Sequence, residues 1–261
     1  MKIRNFILAL TALCSLTASA LTREDLIRGV AELNANVPIS MGMMGNITSA
    51  TVDGDTIVYN ISLDGLGDMT LNQTTTEDIQ KKLLLDNIAI VSKFSPELSQ
   101  SFKILAESNF YLKYLYTNPQ SETTVVVTIS PKDFVDAQSI EPDYKSLAEY
   151  NITTTRNAYP IEMSGMKLID IQRKGNDVIS TAIVDEDVIS IETMIENADF
   201  MKQYFLRTLQ SGAELSTLTQ SYIFAKAGYN QVYLYKGSSS GKSVSYSVVP
   251  EDIFSITGNI K

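Results

Sequence analysis

The strongest constraint on the fold of this chain is an internal repeat. Residues 101–134 lie on residues 220–253 without a gap when the sequence is shifted by 119 positions. Within this stretch the Tyr-Leu-Tyr run at 114–116 coincides with an identical run at 233–235. A repeat of this kind predicts two copies of one structural unit that follow each other along the chain.

A second alignment extends the repeat towards the amino terminus, with a shift of 122 positions. It places residues 37–39 on residues 159–161, and it places Ile57 on Ile179. In both copies apolar residues alternate with polar ones in this region, which is typical of strands with one buried face. We therefore expect Ile57 and Ile179 to occupy equivalent positions on the buried faces of two similar sheets.

Turn and cap signals divide each copy into the same series of elements. Asp53–Asp55 and Gly175–Asn176 are typical of tight turns between paired strands, and Ser95–Pro96 is typical of the start of a helix. The predicted order in each copy is a helix, a β-hairpin, two helices and a second β-hairpin. Hairpins with helices clustered between them predict the α+β class with antiparallel sheets.

The predicted domain boundaries follow from the repeat. We expect a first α+β repeat domain over residues 21–138 and a second over residues 143–261. Between them Ser139, Glu141 and Pro142 interrupt the pattern of apolar residues.

The first twenty residues have the order of a secretion signal. Lys2 and Arg4 precede an apolar run from Phe6 to Leu16, and small residues follow at 18–20. The apolar run is shorter than the roughly 20 residues that span a bilayer, so we predict a cleavable signal peptide over residues 1–20 and no integral membrane segment in the mature chain. The single cysteine, Cys14, lies within it, and Leu13 before it does not suit a lipidation site. A secreted chain without disulfides predicts the bacterial periplasm.

The composition argues against several functional classes. The chain has no histidine, which removes the usual general base near neutral pH, and its only cysteine lies in the predicted signal peptide. Histidine-dependent hydrolysis and the usual zinc ligand sets are therefore excluded. With 21 basic against 30 acidic residues and a net charge of −9, the chain does not suit a nucleic-acid partner. We expect no cofactor.

Acidic residues provide the candidates for metal binding or carboxylate chemistry. Asp185, Glu186 and Asp187 come at the end of a predicted strand, and Asp64 and Asp68 come at the comparable place in the first copy. Oxygen ligands in a loop can hold calcium, but these residues do not follow a known loop spacing. We predict no catalytic and no metal site, and we keep Asp185, Glu186 and Asp187 as weak metal candidates.

The glycine-rich segment 237–243 resembles a phosphate-binding loop in composition. However, only three residues separate Gly237 from Gly241, and a predicted strand follows instead of a helix. Ser239 and Lys242 also have the spacing of a serine that a lysine activates, although such a pair needs the rigidity of a helix. We interpret the segment as a hairpin turn.

Tyrosines recur at matching positions of the two copies. Tyr114 and Tyr116 in the first copy correspond to Tyr233 and Tyr235 in the second. Buried tyrosines with hydroxyls at the sheet edge are typical of core packing, and this is our first interpretation. The alternative is that these four tyrosines form a surface for a ligand or a partner.

The element order resembles that of small exported bacterial proteins, especially those of the Bacteroidetes. The features that carry the resemblance are a helix that ends before Pro38 or Pro160, strands like Tyr111–Tyr116, and a last hairpin that closes at Pro131 or Pro250. The resemblance implies a periplasmic location and a non-enzymatic role. It implies no functional residues.

The sequence therefore favours a non-enzymatic binding or protein-interaction protein of the periplasm. Its partner would be a protein or a small ligand of the cell envelope, held on polar sheet faces or between the two copies. The alternatives are a carboxylate-dependent hydrolase that uses Asp185, Glu186 or Asp187, and a structural component of the envelope.

Overall fold

The computed structural model describes residues 23–40, 45–63, 70–157, 159–211 and 215–258. The predicted signal peptide with Cys14 lies outside these residues, as do Asp64 and Asp68. Two compact units make up the structure, of which the first ends at Pro142 and the second begins at Asp143. In the part of the chain described, no helix is both long enough and apolar enough to cross a membrane.

The first unit contains five strands and four helices among its described residues. In chain order they are α1 (Arg23–Asn34), β1 (Ile39–Ser40), β2 (Asn46–Asp53), β3 (Thr56–Ser62), α2 (Gln73–Phe94), α3 (Pro96–Glu107), β4 (Tyr111–Asn118), β5 (Thr123–Ile129) and α4 (Pro131–Ala137). Ser95 begins α3 as predicted, because its hydroxyl accepts a hydrogen bond from the Leu98 N–H at 3.2 Å.

The second unit repeats this order with one additional helix. Its elements are α5 (Tyr144–Asn157), β6 (Ile161–Met163), β7 (Met166–Lys174), β8 (Asp177–Val184), α6 (Ile191–Glu196), α7 (Ala198–Gln210), α8 (Leu215–Lys226), β9 (Asn230–Gly237), β10 (Ser243–Val248) and α9 (Pro250–Thr257). The predicted α+β class with two similar units is confirmed. The short closing helices α4 and α9 were not predicted, since each last hairpin was expected to end its copy.

Each unit has one five-stranded sheet with the strands in chain order across it. Most neighbours are antiparallel, but β3 and β4 run parallel, as do β8 and β9. The prediction of purely antiparallel sheets is therefore wrong in one pair of each sheet. The helices between the two hairpins return the chain to the end of the sheet where β3 began, which makes the next strand parallel.

The pairing register corrects the alignment of the two copies. Thr56 begins β3 beside Tyr111, and Asp177 begins β8 beside Asn230, so these strands correspond with a shift of 121 positions rather than 122. Ile57 therefore corresponds to Val178. Both side chains are buried, whereas Ile179 is half-buried on the opposite face. A slip of one residue turns every side chain of a strand to the other face, so the predicted equivalence of Ile57 and Ile179 is wrong.

The shift of 119 positions holds throughout the second half of each unit. It takes both ends of α3 to both ends of α8. It also relates the residues with left-handed backbone conformations, since Asn109 (φ 59°) falls on Gly228 (φ 79°) and Glu122 (φ 54°) falls on Gly241 (φ 69°). The same turns are thus built with glycine in the second unit and without it in the first.

An ion pair at the start of the closing helix occurs in both units. The Asp133 carboxylate accepts hydrogen bonds from the Ser130 N–H and hydroxyl, both at 2.7 Å, and lies 3.0 Å from the Lys81 ammonium. Burial opposes ionisation of Asp133, but these bonds outweigh it and lower the pKa of the carboxyl. Asp252 has the corresponding bonds, to the Val249 N–H at 2.9 Å and to Lys202 at 2.7 Å.

Candidate functional site

The acidic run at 185–187 and the glycine-rich segment 237–243 meet at one edge of the second sheet. Parallel pairing of β8 and β9 places Val184 opposite Gly237, so the two chain segments leave the sheet side by side. The carboxyl ends of neighbouring parallel strands are common positions for binding sites in α/β sheets. Sequence reasoning treated the two segments separately because it did not predict the parallel pair.

The Glu186 carboxylate accepts hydrogen bonds from backbone N–H groups of the glycine-rich segment 237–243. One of its carboxylate oxygens accepts hydrogen bonds from the Ser239 N–H at 2.7 Å, the Ser240 N–H at 2.9 Å and the Ser239 hydroxyl at 2.8 Å. Hydrogen bonds from the Ser240 hydroxyl, from both N–H groups and from the Ser239 hydroxyl lower the pKa of Glu186 to about 2. The turn therefore binds an anion, and that anion is a side chain of the same unit.

The acidic run at 185–187 and the pair of Ser239 and Lys242 have separate contacts in the structure. Asp185 and Asp187 are exposed beside it, and no three acidic, histidine or cysteine residues of the described ranges converge in a way that could hold a metal ion. Ser239 donates to Glu186, whereas the Lys242 ammonium lies 2.7 Å from Glu192. Serine and lysine are therefore engaged with different carboxylates. Asp64 and Asp68 lie outside the described residues.

The tyrosines of the first unit are core residues. Tyr114 and Tyr116 are 4% and 0% exposed, and Tyr59 stacks on Tyr114 with ring centroids 5.1 Å apart. Burial raises the pKa of the Tyr114 hydroxyl well above its usual value. These two tyrosines cannot meet a ligand without rearrangement of the core.

The equivalent tyrosines of the second unit are half-buried and belong to a larger aromatic cluster. Tyr246 stacks on Tyr233 at 5.0 Å and on Tyr235 at 6.2 Å, and Phe205 of α7 contacts Tyr233 at 5.0 Å. We call Phe205, Tyr233, Tyr235 and Tyr246 the aromatic cluster. The hydroxyls of Tyr235 and Tyr246 are hydrogen-bonded to each other. Burial raises the pKa of both, so the cluster is uncharged at neutral pH.

Smaller residues in the second unit accompany this difference in exposure. Ser180 replaces Tyr59 of the first unit, and Ser221 replaces Phe102, which there stacks on Phe134 with ring centroids 5.9 Å apart. Tyr246 stands where the first unit has Val127. Large aromatic side chains therefore lie in the interior of the core in the first unit. In the second unit they lie near the edge of the sheet, where they are partly exposed.

A polar pair lies beneath the aromatic cluster. The Ser221 hydroxyl donates to the side-chain oxygen of Gln231 at 3.0 Å, and the Tyr233 hydroxyl lies 3.5 Å from the same oxygen. Gln231 is 5% exposed, and its side-chain nitrogen has no hydrogen-bond partner among the residues that the structure describes. A buried donor without a partner carries a free-energy cost of about 1–3 kcal/mol. The equivalent of Gln231 in the first unit is Leu112.

Comparison with known proteins gives little further information. No protein-family model matches the chain, and no curated protein matches it. A solved structure of a Pseudomonas aeruginosa protein described as secreted matches with a TM-score of 0.34 and 12% identity, over 42% of this chain and 93% of that one. The resemblance to Bacteroidetes proteins stays a prediction.

The sequence offered Tyr233 and Tyr235 as a possible ligand or partner surface but not Phe205 and Tyr246, which belong to the same aromatic cluster. Phe205 and Tyr246 lack an aromatic counterpart in the first unit, so a search for matching residues passed over them. A comparison of differences between the copies would have been more informative. It would have shown the positions at which a large core residue of one copy is a small or polar residue in the other.

Proposed function

We propose that the protein is an exported, non-enzymatic binding protein of the bacterial periplasm, and that its second unit holds the ligand at the aromatic cluster. The observation that supports this proposal is the contrast between the two units. Equivalent tyrosines are sealed in the core of the first unit and half-exposed in the second. Two units with the same topology thus differ at the positions where a binding site needs accessible side chains.

The chemistry of the cluster indicates the kind of ligand. Because the rings of Tyr233, Tyr235 and Tyr246 stack on one another, the cluster presents ring edges and hydroxyl groups more than ring faces. Ring edges carry partial positive charge, so the exposed parts of the cluster favour hydrogen-bond acceptors and apolar groups. Such a surface suits a ligand that combines apolar parts with hydrogen-bond acceptors, as a saccharide or an extended peptide does.

The predicted signal peptide supports the periplasmic location. Glu186 does not suit the role of general acid in the alternative hydrolase, since a carboxyl with a pKa of about 2 stays ionised near neutral pH. A structural role in the envelope leads to a different expectation, namely that no small ligand stabilises the protein.

Thermal unfolding of the mature protein against soluble oligosaccharides and short peptides tests the proposal. We expect at least one compound to raise the unfolding temperature of the second unit, since a ligand that binds only the folded state stabilises it. Tyr246→Phe keeps the ring and removes its hydroxyl, so we expect a smaller ligand-induced shift of the unfolding temperature. Tyr246→Ala removes the ring and the hydroxyl, so we expect no shift.

Tyr116→Phe is the matched control, because Tyr116 is the buried equivalent of Tyr235 in the first unit. It should leave the ligand-induced shift unchanged. Absence of any shift in both panels, or a shift that persists in Tyr246→Ala, would contradict the proposed site.

A further inference from the structure

Helix α7 exposes two aromatic side chains that the core does not use. Phe200 and Tyr204 are 63% and 65% exposed, the highest values among the large hydrophobic residues described in the chain. They lie one helical turn apart, and their rings stack with centroids 6.4 Å apart. Exposed aromatic residues in contact with each other are typical of protein interfaces.

The opposite side of the same helix already fulfils the packing role. Leu209 is buried, and Phe205 contacts Tyr233 of the sheet. Phe200 and Tyr204 are therefore not needed to attach α7 to its unit. At the equivalent positions of α2 the first unit has Ile79, which is exposed, and Leu83, which is buried.

Exposed acidic residues precede this aromatic pair in the chain. Glu196 and Asp199 are exposed and have no ion-pair partner in the described structure, and Asp185 and Asp187 are exposed shortly before them in the chain. Lys202 of the same helix does not offset this charge, because it is paired with Asp252, and Lys242 is paired with Glu192.

Arg207 lies one turn beyond Tyr204 and is exposed at the other end of the helix. We call the surface formed by Glu196, Asp199, Phe200 and Tyr204 the α7 face. It is apolar at its centre and acidic along one side.

We propose that the α7 face binds a basic, amphipathic polypeptide segment of another protein. Apolar side chains of such a segment would cover the two rings, and its lysine or arginine residues would pair with Glu196 and Asp199. Arginine or lysine can also lie over the exposed ring of Tyr204 or Phe200. A second copy of this chain fits less well, since the net charge of −9 makes two copies repel each other. Anionic lipid is disfavoured for the same reason.

Direct binding to a defined peptide tests this inference. The probe is a fluorescently labelled helical peptide built from repeats of Leu-Lys-Lys-Leu-Leu-Lys-Leu, and its counterpart has glutamate in place of every lysine. We expect the mature protein to bind the lysine peptide, to bind it more weakly as salt rises, and not to bind the glutamate peptide.

Substitutions locate the binding. F200S/Y204S should weaken binding by about tenfold or more, because buried aromatic residues dominate the affinity of interfaces. I79S, at the exposed equivalent of Phe200 in the first unit, should leave binding unchanged. E196K/D199K should weaken binding to the lysine peptide and permit binding to the glutamate peptide. All of these side chains are exposed, so we expect each variant to fold, and circular dichroism verifies this.

Several results would overturn the inference. These are equal binding of both peptides, lysine-peptide binding that F200S/Y204S does not weaken, and absence of binding. Sedimentation that shows a dimer lost in F200S/Y204S would identify a second copy as the occupant instead, and binding to phosphatidylglycerol vesicles lost in the same variant would identify lipid. The aromatic cluster is intact in all these variants, so the outcome is independent of the ligand test described above.

Discussion

Single residues show how the two units reach the same turns by different means. Asn109 and Glu122 hold left-handed backbone conformations at positions where the second unit has glycine. Asparagine tolerates this conformation better than most residues, whereas glutamate does not. Glu122 therefore carries a local cost that Gly241 avoids.

Substitutions at the turn that contains Glu122 in the first unit and Gly241 in the second should change the stability of the two units in opposite directions. We expect Glu122→Gly to raise the free energy of unfolding of the first unit by up to about 1 kcal/mol, and Gly241→Ala to lower that of the second by a similar amount. A Cβ at position 241 would meet no atom within 4 Å, so the second effect would reflect backbone conformation alone. Urea unfolding measures both, and a stabilising Gly241→Ala would contradict this account.

Glu186 makes stability depend on pH through its hydrogen bonds to the turn. Its pKa is about 2 in the folded protein against 4.5 for the unperturbed group. A lowered pKa means that the carboxylate stabilises the folded state above about pH 4.5, and that this contribution is lost as the pH falls towards 2.

Glu186→Gln should therefore reduce the urea midpoint of the second unit at neutral pH, and the difference from the unaltered protein should shrink between about pH 4.5 and 2. Glu196→Gln removes one charge from the α7 face of the same unit and serves as the control for net charge. A difference for Glu186→Gln that stays constant over this pH range would show that the hydrogen bonds to the turn do not depend on the carboxylate.

At the scale of elements, the closing helices α4 and α9 are held in the same way. Asp133 and Asp252 each accept hydrogen bonds at the start of the helix and each pair with a lysine of a neighbouring helix, Lys81 or Lys202. The recurrence of both interactions makes them part of the shared fold.

Asp133→Ala should lower the free energy of unfolding of the first unit by about 1–2 kcal/mol, because it removes the N3 carboxylate of the capping box with Ser130 and one partner of a half-buried ion pair. Hydrogen exchange followed for peptides of α4 should show faster exchange there and no change in α9. Asp136→Ala breaks the exposed pair with Lys132 on the same helix and should cost less than about 0.5 kcal/mol. Equal effects of the two variants would contradict a special role for the cap.

The elements also show which parts of the fold were predictable. The gapless alignment at 119 positions agrees with the bounds of α3 and α8 and of β4 and β9, because it contains no loop of different length. The alignment at 122 positions crossed the β1–β2 and β6–β7 turns, whose lengths differ, and it was wrong by one residue beyond them. The parallel pairs were not predicted either, since strand alternation carries no information on the direction of the neighbouring strand.

The candidate site was predicted in part for a related reason. Identity between copies pointed to Tyr233 and Tyr235. It did not identify Ser180 as the counterpart of Tyr59, because that match depends on the strand register of the folded chain. Phe200 and Tyr204 were missed because amphipathic periodicity predicts only which side of a helix is buried. It does not predict that large aromatic residues lie on the exposed side.

At the scale of the whole molecule, each unit has its own sheet and its own buried residues. Each of the two sheets lies within one unit, and the chain passes from the first unit to the second between Pro142 and Asp143. Domains of this size with a complete sheet usually fold alone.

We therefore expect a fragment that comprises residues 143–261 to fold by itself. Its circular dichroism should show a cooperative thermal transition, since all partners of β6–β10 are present. A fragment of residues 143–226 lacks β9 and β10 and should be unfolded, because β8 would lose its parallel neighbour. A non-cooperative transition of the longer fragment would mean that the second unit depends on the first.

Because the two units have matching strand registers and belong to one chain, they could exchange strands during folding. A strand of one unit has the right length and spacing to enter the sheet of the other, and such exchange is a known route to misfolding in tandem repeats. The polar pair of Ser221 and Gln231 opposes this, because Gln231 in place of Leu112 would meet the apolar surroundings of Phe102 and lose its partner. We therefore expect the buried Gln231 to disfavour insertion of β9 into the core of the first unit.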